Sequence, residues 1–379
     1  MSYAFEHTPR GPAYPLDWAP IARFPWVAAM AGVRQEPEWH AEGDVLTHTR
    51  MVAEAMAGLG AWRAAAEPDR HVLFAAALLH DVAKPVCTRF EDNRWTSPKH
   101  AKVGEGVARH LLWTGEAGEV PTFHERERLA KLVRYHGLPL RFTDKPDPAR
   151  ALILASLEVN LRDVATLALA DVLGRECAGK DQLAESVKMF TEYAAELRCL
   201  DRPRRFEHDH HRFMYCVGRK PIEYVPHRPA GADAFEAVLM SGLPGSGKST
   251  VAREVAGDRP VIALDEVREQ IGIDPADDQG AVVAAAREQA KAHLRDRRSF
   301  VWDATNTSKD VRGGLIALFA NYGATTRVVY VEAPSWQAMF ARNRERPRGR
   351  QVPEPVISRL AEKVEVPSPA EAHRVEYVV

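Results

Sequence analysis

The stretch Glu236–Thr250, EAVLMSGLPGSGKST, decides the fold of the C-terminal part of the chain. Its apolar opening reads as a strand. GLPGSGKST then satisfies G-x-x-x-x-G-K-[ST] through Gly242, Gly247, Lys248 and Ser249. Glycines let backbone N–H groups turn inward around phosphate oxygens, and the helix that follows adds the positive end of its dipole. Gly242, Gly245, Ser246, Gly247, Lys248, Ser249 and Thr250 are therefore the expected cradle for ATP or another nucleoside triphosphate with Mg²⁺. Lys248 is expected to reach the β- and γ-phosphates, and the Ser249 hydroxyl to sit on the ion.

Downstream, the short apolar runs PVIAL, SFVWD and RVVYVE alternate with helical stretches such as AVVAAAREQAKAHLRDRR, and RVEYVV offers one more strand. Strands alternating with helices imply right-handed crossovers and a mainly parallel sheet, so residues 234–379 read as an α/β domain. Asp265, in VIALDEVREQ, falls at a strand's C-terminal end, where ligands of such sheets gather. A carboxylate there is placed to take a proton from an attacking hydroxyl, with Arg268 as a clamp on a substrate phosphate or on that carboxylate. An N-cap Asp with an ordinary surface Arg is the plain alternative. Asp303, in SFVWDATNTS, is expected to support Mg²⁺ or hold the loop, and Asn306 to contact substrate; a structural strand-end turn would look the same. Arg342, Arg344, Arg346, Arg348 and Arg350 lie within nine residues beside helix-breaking prolines. They read as a mobile lid over a transferring phosphoryl group, or as a solvated basic face.

Upstream, residues 1–200 read as an all-helical domain: DVLTHTRMVAEAMAGL, RHVLFAAALLHDVAK, KHAKVGEGVARHLLW and ARALILASLEVNLRDVATLALADVL carry apolar residues at spacings of three and four. Residues 201–233, rich in Arg, His and Pro, read as a linker or small irregular module. In the helical part, His80 and Asp81 close a strongly apolar run, a costly place for charge unless a metal or partner satisfies it. His48, His100, His136 and Asp171 complete an ordered set that a helical bundle can aim at one centre. Imidazole nitrogens and carboxylate oxygens suit divalent transition metals of the Mn, Ni, Co, Cu or Zn class, and one carboxylate can bridge two ions. His48, His80, Asp81 and Asp171 are assigned to a first metal, and Asp81, His100 and His136 to a second; Lys84 is expected to steady a phosphate. His40 reads as a supporting residue or a surface histidine. The run from His208 to His211 reads as non-catalytic.

The C-terminal residues resemble the kinase module of polynucleotide 5′-hydroxyl kinases. The resemblance runs through the P-loop, the Asp-x-x-Arg of Asp265 and Arg268, the Asp303–Asn306 stretch and the Arg342-Asn-x-x-Arg346 lid. It implies Asp265 as general base, Arg268 on the acceptor's phosphate, and Arg342 and Arg346 on the donor's phosphates. The N-terminal set resembles the HD phosphohydrolase superfamily, with Ala83 where that pattern has glycine. Together the two halves resemble the bacterial HD-Pnk end-healing enzymes. The resemblance implies an HD phosphohydrolase that removes 2′-phosphate, 3′-phosphate or 2′,3′-cyclic phosphate ends and a kinase that phosphorylates 5′-OH ends. RNA or DNA ends are then the expected substrate, with a nucleic-acid ligase in the same pathway, no membrane, and a homodimer left open. The rival readings are a small-molecule kinase fused to an HD nucleotidase, and a nucleotide-sensing regulatory ATPase.

The bulk numbers agree with two domains: 379 residues exceed one ordinary core. With 51 Lys+Arg against 52 Asp+Glu, the net charge of −1 neither supports nor excludes a nucleic-acid partner. Four scattered cysteines argue against a disulfide framework, and the polar, proline-rich start lacks a signal peptide's apolar core, so the cytoplasm is the expected setting.

Overall fold

A computed structural model describes residues 3–227, 234–274 and 277–379. They form two units, 1–205 and 206–379.

In the first unit, the helix Glu67–Leu79 is buried continuously from His71 to Leu79, because no residue of HVLFAAALL offers a solvent-facing charge beyond His71. A helix apolar on all sides must be surrounded. The helices Val45–Gly58, Phe123–Tyr135 and Leu161–Leu173 pack against it. The apolar stretch 149–173 is two helices, Pro148–Ser156 and Leu161–Leu173, since Asn160 caps the second by accepting from the Arg162 and Asp163 amides. Helix His100–Thr114 packs on Phe123–Tyr135. Gly174 ends the helix that carries Asp171; a Cβ there would lie 2.7 Å from the Val52 backbone nitrogen. Only glycine permits the approach that brings Asp171 to the helix carrying His48. Between Asp81 and His100 the chain makes a small hairpin, β1 (Arg89–Glu91) antiparallel to β2 (Arg94–Thr96). Asp92 and Asn93 turn it at positive φ, as tight hairpins require.

The second unit is built on a five-stranded sheet of β3 (Glu236–Ser241), β4 (Val261–Ala263), β5 (Phe300–Asp303), β6 (Thr325–Val331) and β7 (Arg374–Val378). Its order is β4-β5-β3-β6-β7, every pair parallel. All five strands fall in the apolar runs read from sequence. Along β3, Ala237 and Leu239 enter one core and Val238 and Met240 the other, so both faces are covered, as a parallel sheet demands.

The segment read as a linker or irregular module differs in part. Residues 206–227 belong to the second unit and contain the helix Asp209–Cys216, whose Phe213 joins the core and stacks on His373 with ring centroids 3.9 Å apart. Two turns are too short to show a periodicity, while one buried aromatic is enough to dock them. Residues 228–233 lie outside the described residues. Among the described residues no helix is long and apolar enough to cross a membrane.

Candidate active sites

In the first unit the helix ends aim the ligands. His80 and His136 are the C-cap residues of their helices, and His100 begins its own. Each uses one device: Nδ1 donates to the carbonyl three residues earlier, Ala77 at 2.7 Å, Val133 at 2.8 Å and Ser97 at 2.7 Å. A carbonyl can only accept, so the proton sits on Nδ1 and the Nε2 lone pair points inward. His48 Nδ1 lies 2.8 Å from Glu42 Oε1, an ion-pair contact. The outcome is two pairs of facing nitrogens, His48 Nε2 and His80 Nε2 at 3.4 Å, and His100 Nε2 and His136 Nε2 at 3.4 Å.

Carboxylates close both groups. Asp171 Oδ1 lies 3.1 Å from His48 Nε2. Asp81 Oδ2 lies 3.2 Å from His80 Nε2, while Asp81 Oδ1 lies 3.5 Å from His100 Nε2 and 4.0 Å from His136 Nε2. Asp81 Oδ1 is buried and has no hydrogen-bond partner. The two groups His48/His80/Asp171 and Asp81/His100/His136 each have the spacing of a cation site. All six residues assigned from sequence thus converge, with Asp81 between the two groups. Facing lone pairs with no proton between them, beside an unpartnered carboxylate oxygen, fit divalent ions of borderline softness.

The charges agree. Burial opposes ionisation of Asp81, but Lys84 and the flanking histidines outweigh it and hold the carboxyl well below the usual range. Burial likewise opposes Asp171, and Arg175 with His48 prevails. Burial pushes His136 down to about 3, aided by His80 and His100, so it is the neutral imidazole that ligates metals. Lys84 is buried, with Nζ 2.8 Å from Asp81 Oδ2 and 2.6 Å from Gln35 Oε1.

Three supporting residues were not read from sequence. Glu42, its side chain 1% exposed, hydrogen-bonds His40 Nδ1 at 2.8 Å and lies 2.8 Å from His48 Nδ1, making His40 a supporting residue rather than a surface one. Arg175 forks onto Asp171 with its Nε at 2.9 Å, and Gln35 anchors Lys84. Only Arg175 carried a signal, its four-residue spacing from Asp171.

In the second unit β3 runs into the P-loop and the helix Lys248–Ala256. Gly245 has φ +82, and a Cβ on it would lie 2.3 Å from the Met339 carbonyl oxygen. The amide of Gly242 donates to the Thr305 carbonyl, so the Asp303–Asn306 turn holds the loop. One cleft of about 720 Å³ is lined by Gly245 to Val251 together with Arg342, Arg346 and Val378. A second, of about 760 Å³, is lined by Asp265, Arg268, Asp303, Arg350 and others, and shares Lys248, Ser249 and Arg346 with the first. Thr250 and Gly247 line the first cleft, while Ser249 and Asp303 line the second together.

Burial pushes the Lys248 ammonium down to about 8, against the pull of Asp303 and Asp265. Asp265 is gripped on both oxygens, Oδ1 by Arg268 at 2.6 Å and Oδ2 by Arg346 at 3.0 Å. Burial works against its charge, and these arginines overcome it, holding the carboxyl below its ordinary value. Of the lid arginines, Arg342 donates to the Ser246 carbonyl at 3.2 Å, Arg350 pairs with Glu269 at 2.7 Å and Arg344 with Glu354 at 2.6 Å. Arg348 lies in the exposed turn between them.

Asn306 departs from expectation. It is 6% exposed, and its amide donates to the Met240 carbonyl at 2.7 Å, while its own carbonyl accepts from Ser241 and Arg312. Its side chain is spent on β3, and it ties the strand end rather than facing the cleft.

A family model described as an HD domain matches residues 45–174, which contain all six convergent ligands. One described as an AAA domain matches residues 238–367, from the P-loop strand past the lid. No curated protein matches. A solved structure from Chloroflexus aurantiacus J-10-fl, described as a candidate kinase, shares 16% identity over 39% of this chain and 86% of that one, at a TM-score of 0.33. A likeness that slight carries no weight here. The two family matches, on a helical unit with a His/Asp centre and a parallel-sheet unit with a P-loop, make this chain an N-terminal HD domain joined to a C-terminal P-loop kinase-like domain.

Proposed function

We propose that the chain heals broken nucleic-acid ends: the C-terminal domain phosphorylates a 5′-OH end, and the HD domain removes phosphate from the 2′ or 3′ position. The observation that carries the kinase half is the pair of clefts meeting at Lys248, Ser249 and Arg346. The first takes the triphosphate, and the second brings an acceptor hydroxyl to Asp265 with Arg268 beside it. In the transfer, the 5′ oxygen bonds to the γ-phosphorus as the bond to the leaving ADP breaks, and its proton passes to Asp265. Arg346 leaves Asp265 Oδ2 for the transferring phosphoryl, freeing the oxygen that takes the proton. Ser249 and Asp303, which line the same cleft, would hold Mg²⁺, and that ion would neutralise phosphate charge.

In the HD domain, His48, His80 and Asp171 with Asp81 would hold one divalent transition ion, and Asp81, His100 and His136 would hold a second. Such ions draw charge from phosphate oxygens and lower the pKa of water. The chain's own residues orient the imidazoles through Ala77, Ser97, Val133 and Glu42, and Lys84 adds positive charge for the phosphate. A 5′-phosphate and a 3′-OH are the ends that a ligase joins.

The test is transfer of label from γ-labelled ATP to a 5′-OH oligonucleotide. Label on the strand supports this reading. Label found only on a nucleoside or sugar points to a small-molecule kinase, and label released only as inorganic phosphate points to a regulatory ATPase.

A further inference from the structure

We propose that the β1–β2 hairpin is a stacking platform for the last nucleobase of a phosphate-ended strand, placed beside the HD centre. The proposal rests on reading that centre as a phosphoesterase for nucleic-acid ends, and it adds how the strand is held there.

The hairpin is inserted between two residues of the centre, Asp81 and His100. Its register sets Phe90 directly opposite Trp95, with ring centroids 5.0 Å apart. Cross-strand aromatic pairs usually bury their faces against a core. Here Phe90 is 54% exposed. The guanidinium of Arg34 lies over the Trp95 ring, 5.6 Å from its centroid. Exposed aromatic faces joined to a stacked guanidinium are the chemistry that holds unpaired bases, because every base has a π-face and every nucleotide a negative phosphate.

The position of the platform is fixed by three consecutive residues. Arg34 covers Trp95. Gln35 accepts from Lys84 Nζ at 2.6 Å, and Lys84 lies 2.8 Å from Asp81 Oδ2. Glu36 accepts the Trp95 amide at 2.9 Å. The segment 34–36 therefore links the aromatic pair to the carboxylate shared by both cation groups. A strand whose terminal phosphate is drawn towards Lys84 would then set its base towards the hairpin. Within the hairpin Arg89 is paired with Glu91, which leaves the exposed Arg94 to meet the preceding phosphate.

The experiment uses the full chain with Mn²⁺ and a short RNA carrying a 5′-phosphate and, at its 3′ end, a methylenephosphonate whose P–C bond is not hydrolysed. Binding is read by fluorescence anisotropy with the 3′-terminal nucleotide either intact or abasic. For the unaltered chain, removing the base weakens binding about ten-fold. In Phe90→Ala that penalty falls to about two-fold or less, and in Phe90→Tyr it is retained. Because Phe90 is largely exposed, both variants keep the fold, which matched thermal melts check. An equal base penalty in the unaltered chain and in Phe90→Ala overturns the platform, as does the absence of any penalty in the unaltered chain. Release of the terminal phosphate is measured separately with Mn²⁺. Coupling between Phe90 and the base without phosphate release refutes the phosphoesterase reading alone; release without coupling refutes the platform alone.

Discussion

Lys248 offers a prediction whose size follows from its surroundings. Its half-buried side chain places the ammonium 3.1 Å from the Leu243 carbonyl, and desolvation there lowers its pKa from 10.5 to about 8. A bound triphosphate sets several negative charges beside Nζ and restores the ordinary value. Nucleotide binding must therefore draw a proton from solvent. With a free value near 8 and a bound value near 10.5, uptake is about 0.1 proton at pH 7, about 0.5 at pH 8 and about 0.9 at pH 9. Affinity for ATP then falls most steeply near pH 9, by somewhat less than ten-fold per unit, and levels off above about pH 10.5. The assay is titration calorimetry of Mg-ATP in buffers of different ionisation enthalpy, where the slope of observed heat against that enthalpy counts protons. Lys248→Met, which keeps the chain's length and loses the charge, should show a slope near zero. A zero slope for the unaltered chain at pH 8 and 9, or an equal slope in Lys248→Met, refutes the reasoning. The same shift carries a stability sign. The unfolded chain binds the Lys248 proton more tightly, so the nucleotide-free protein gains stability as pH rises from about 8 towards 10.5.

Other consequences concern single residues. Glu42→Gln loses the negative charge that lies 2.8 Å from both His40 and His48, so metal affinity should fall about 10- to 100-fold by competition with a chelating dye; unchanged affinity would show that Glu42 does not orient His48. Gly245→Ala forces a Cβ against the Met339 carbonyl in a left-handed backbone, and should abolish kinase activity while HD phosphatase activity persists; wild-type nucleotide affinity in that variant would contradict the loop geometry. Arg109 is 1% exposed and pairs with Glu105 and Glu127, which keep Lys131 and Arg126 when it is lost, so Arg109→Leu should cost about 2–4 kcal/mol in denaturant unfolding. Arg162→Ala, removing an exposed partner of Asp201, should cost about 0–1 kcal/mol, and similar losses for both would overturn the burial argument.

Much of this was legible because the chemistry sits in compact motifs. The P-loop declares itself by the order of its glycines, and the central strands β3 and β5 are apolar runs, as burial on both faces requires. The HD ligands were legible because a charged pair closing the apolar helix 67–79 has no cheap structural reason. What stayed hidden depends on distance in three dimensions. Glu42 is an ordinary acidic residue in sequence, and only the packing of its loop brings it to His40 and His48. Asn306 was read outward because it follows Asp303 and Thr305; the buried pair Arg312–Glu371 pins its carbonyl through Arg312 and turns the residue onto β3. The hairpin left no trace because three-residue strands carry no period. Helix 209–216 escaped because a run of histidines masks its one anchoring phenylalanine.

The central claim is that phosphate is handled twice, at separate sites on separate residues. One strand tests it: an RNA bearing a 5′-OH and a 3′-phosphate, incubated with ATP, Mg²⁺ and Mn²⁺ and weighed by mass spectrometry. The unaltered chain should move phosphate onto one end and off the other. Lys248→Ala should only remove it, and Asp81→Ala should only add it. Loss of both changes in either variant, or neither change in the unaltered chain, would contradict the account.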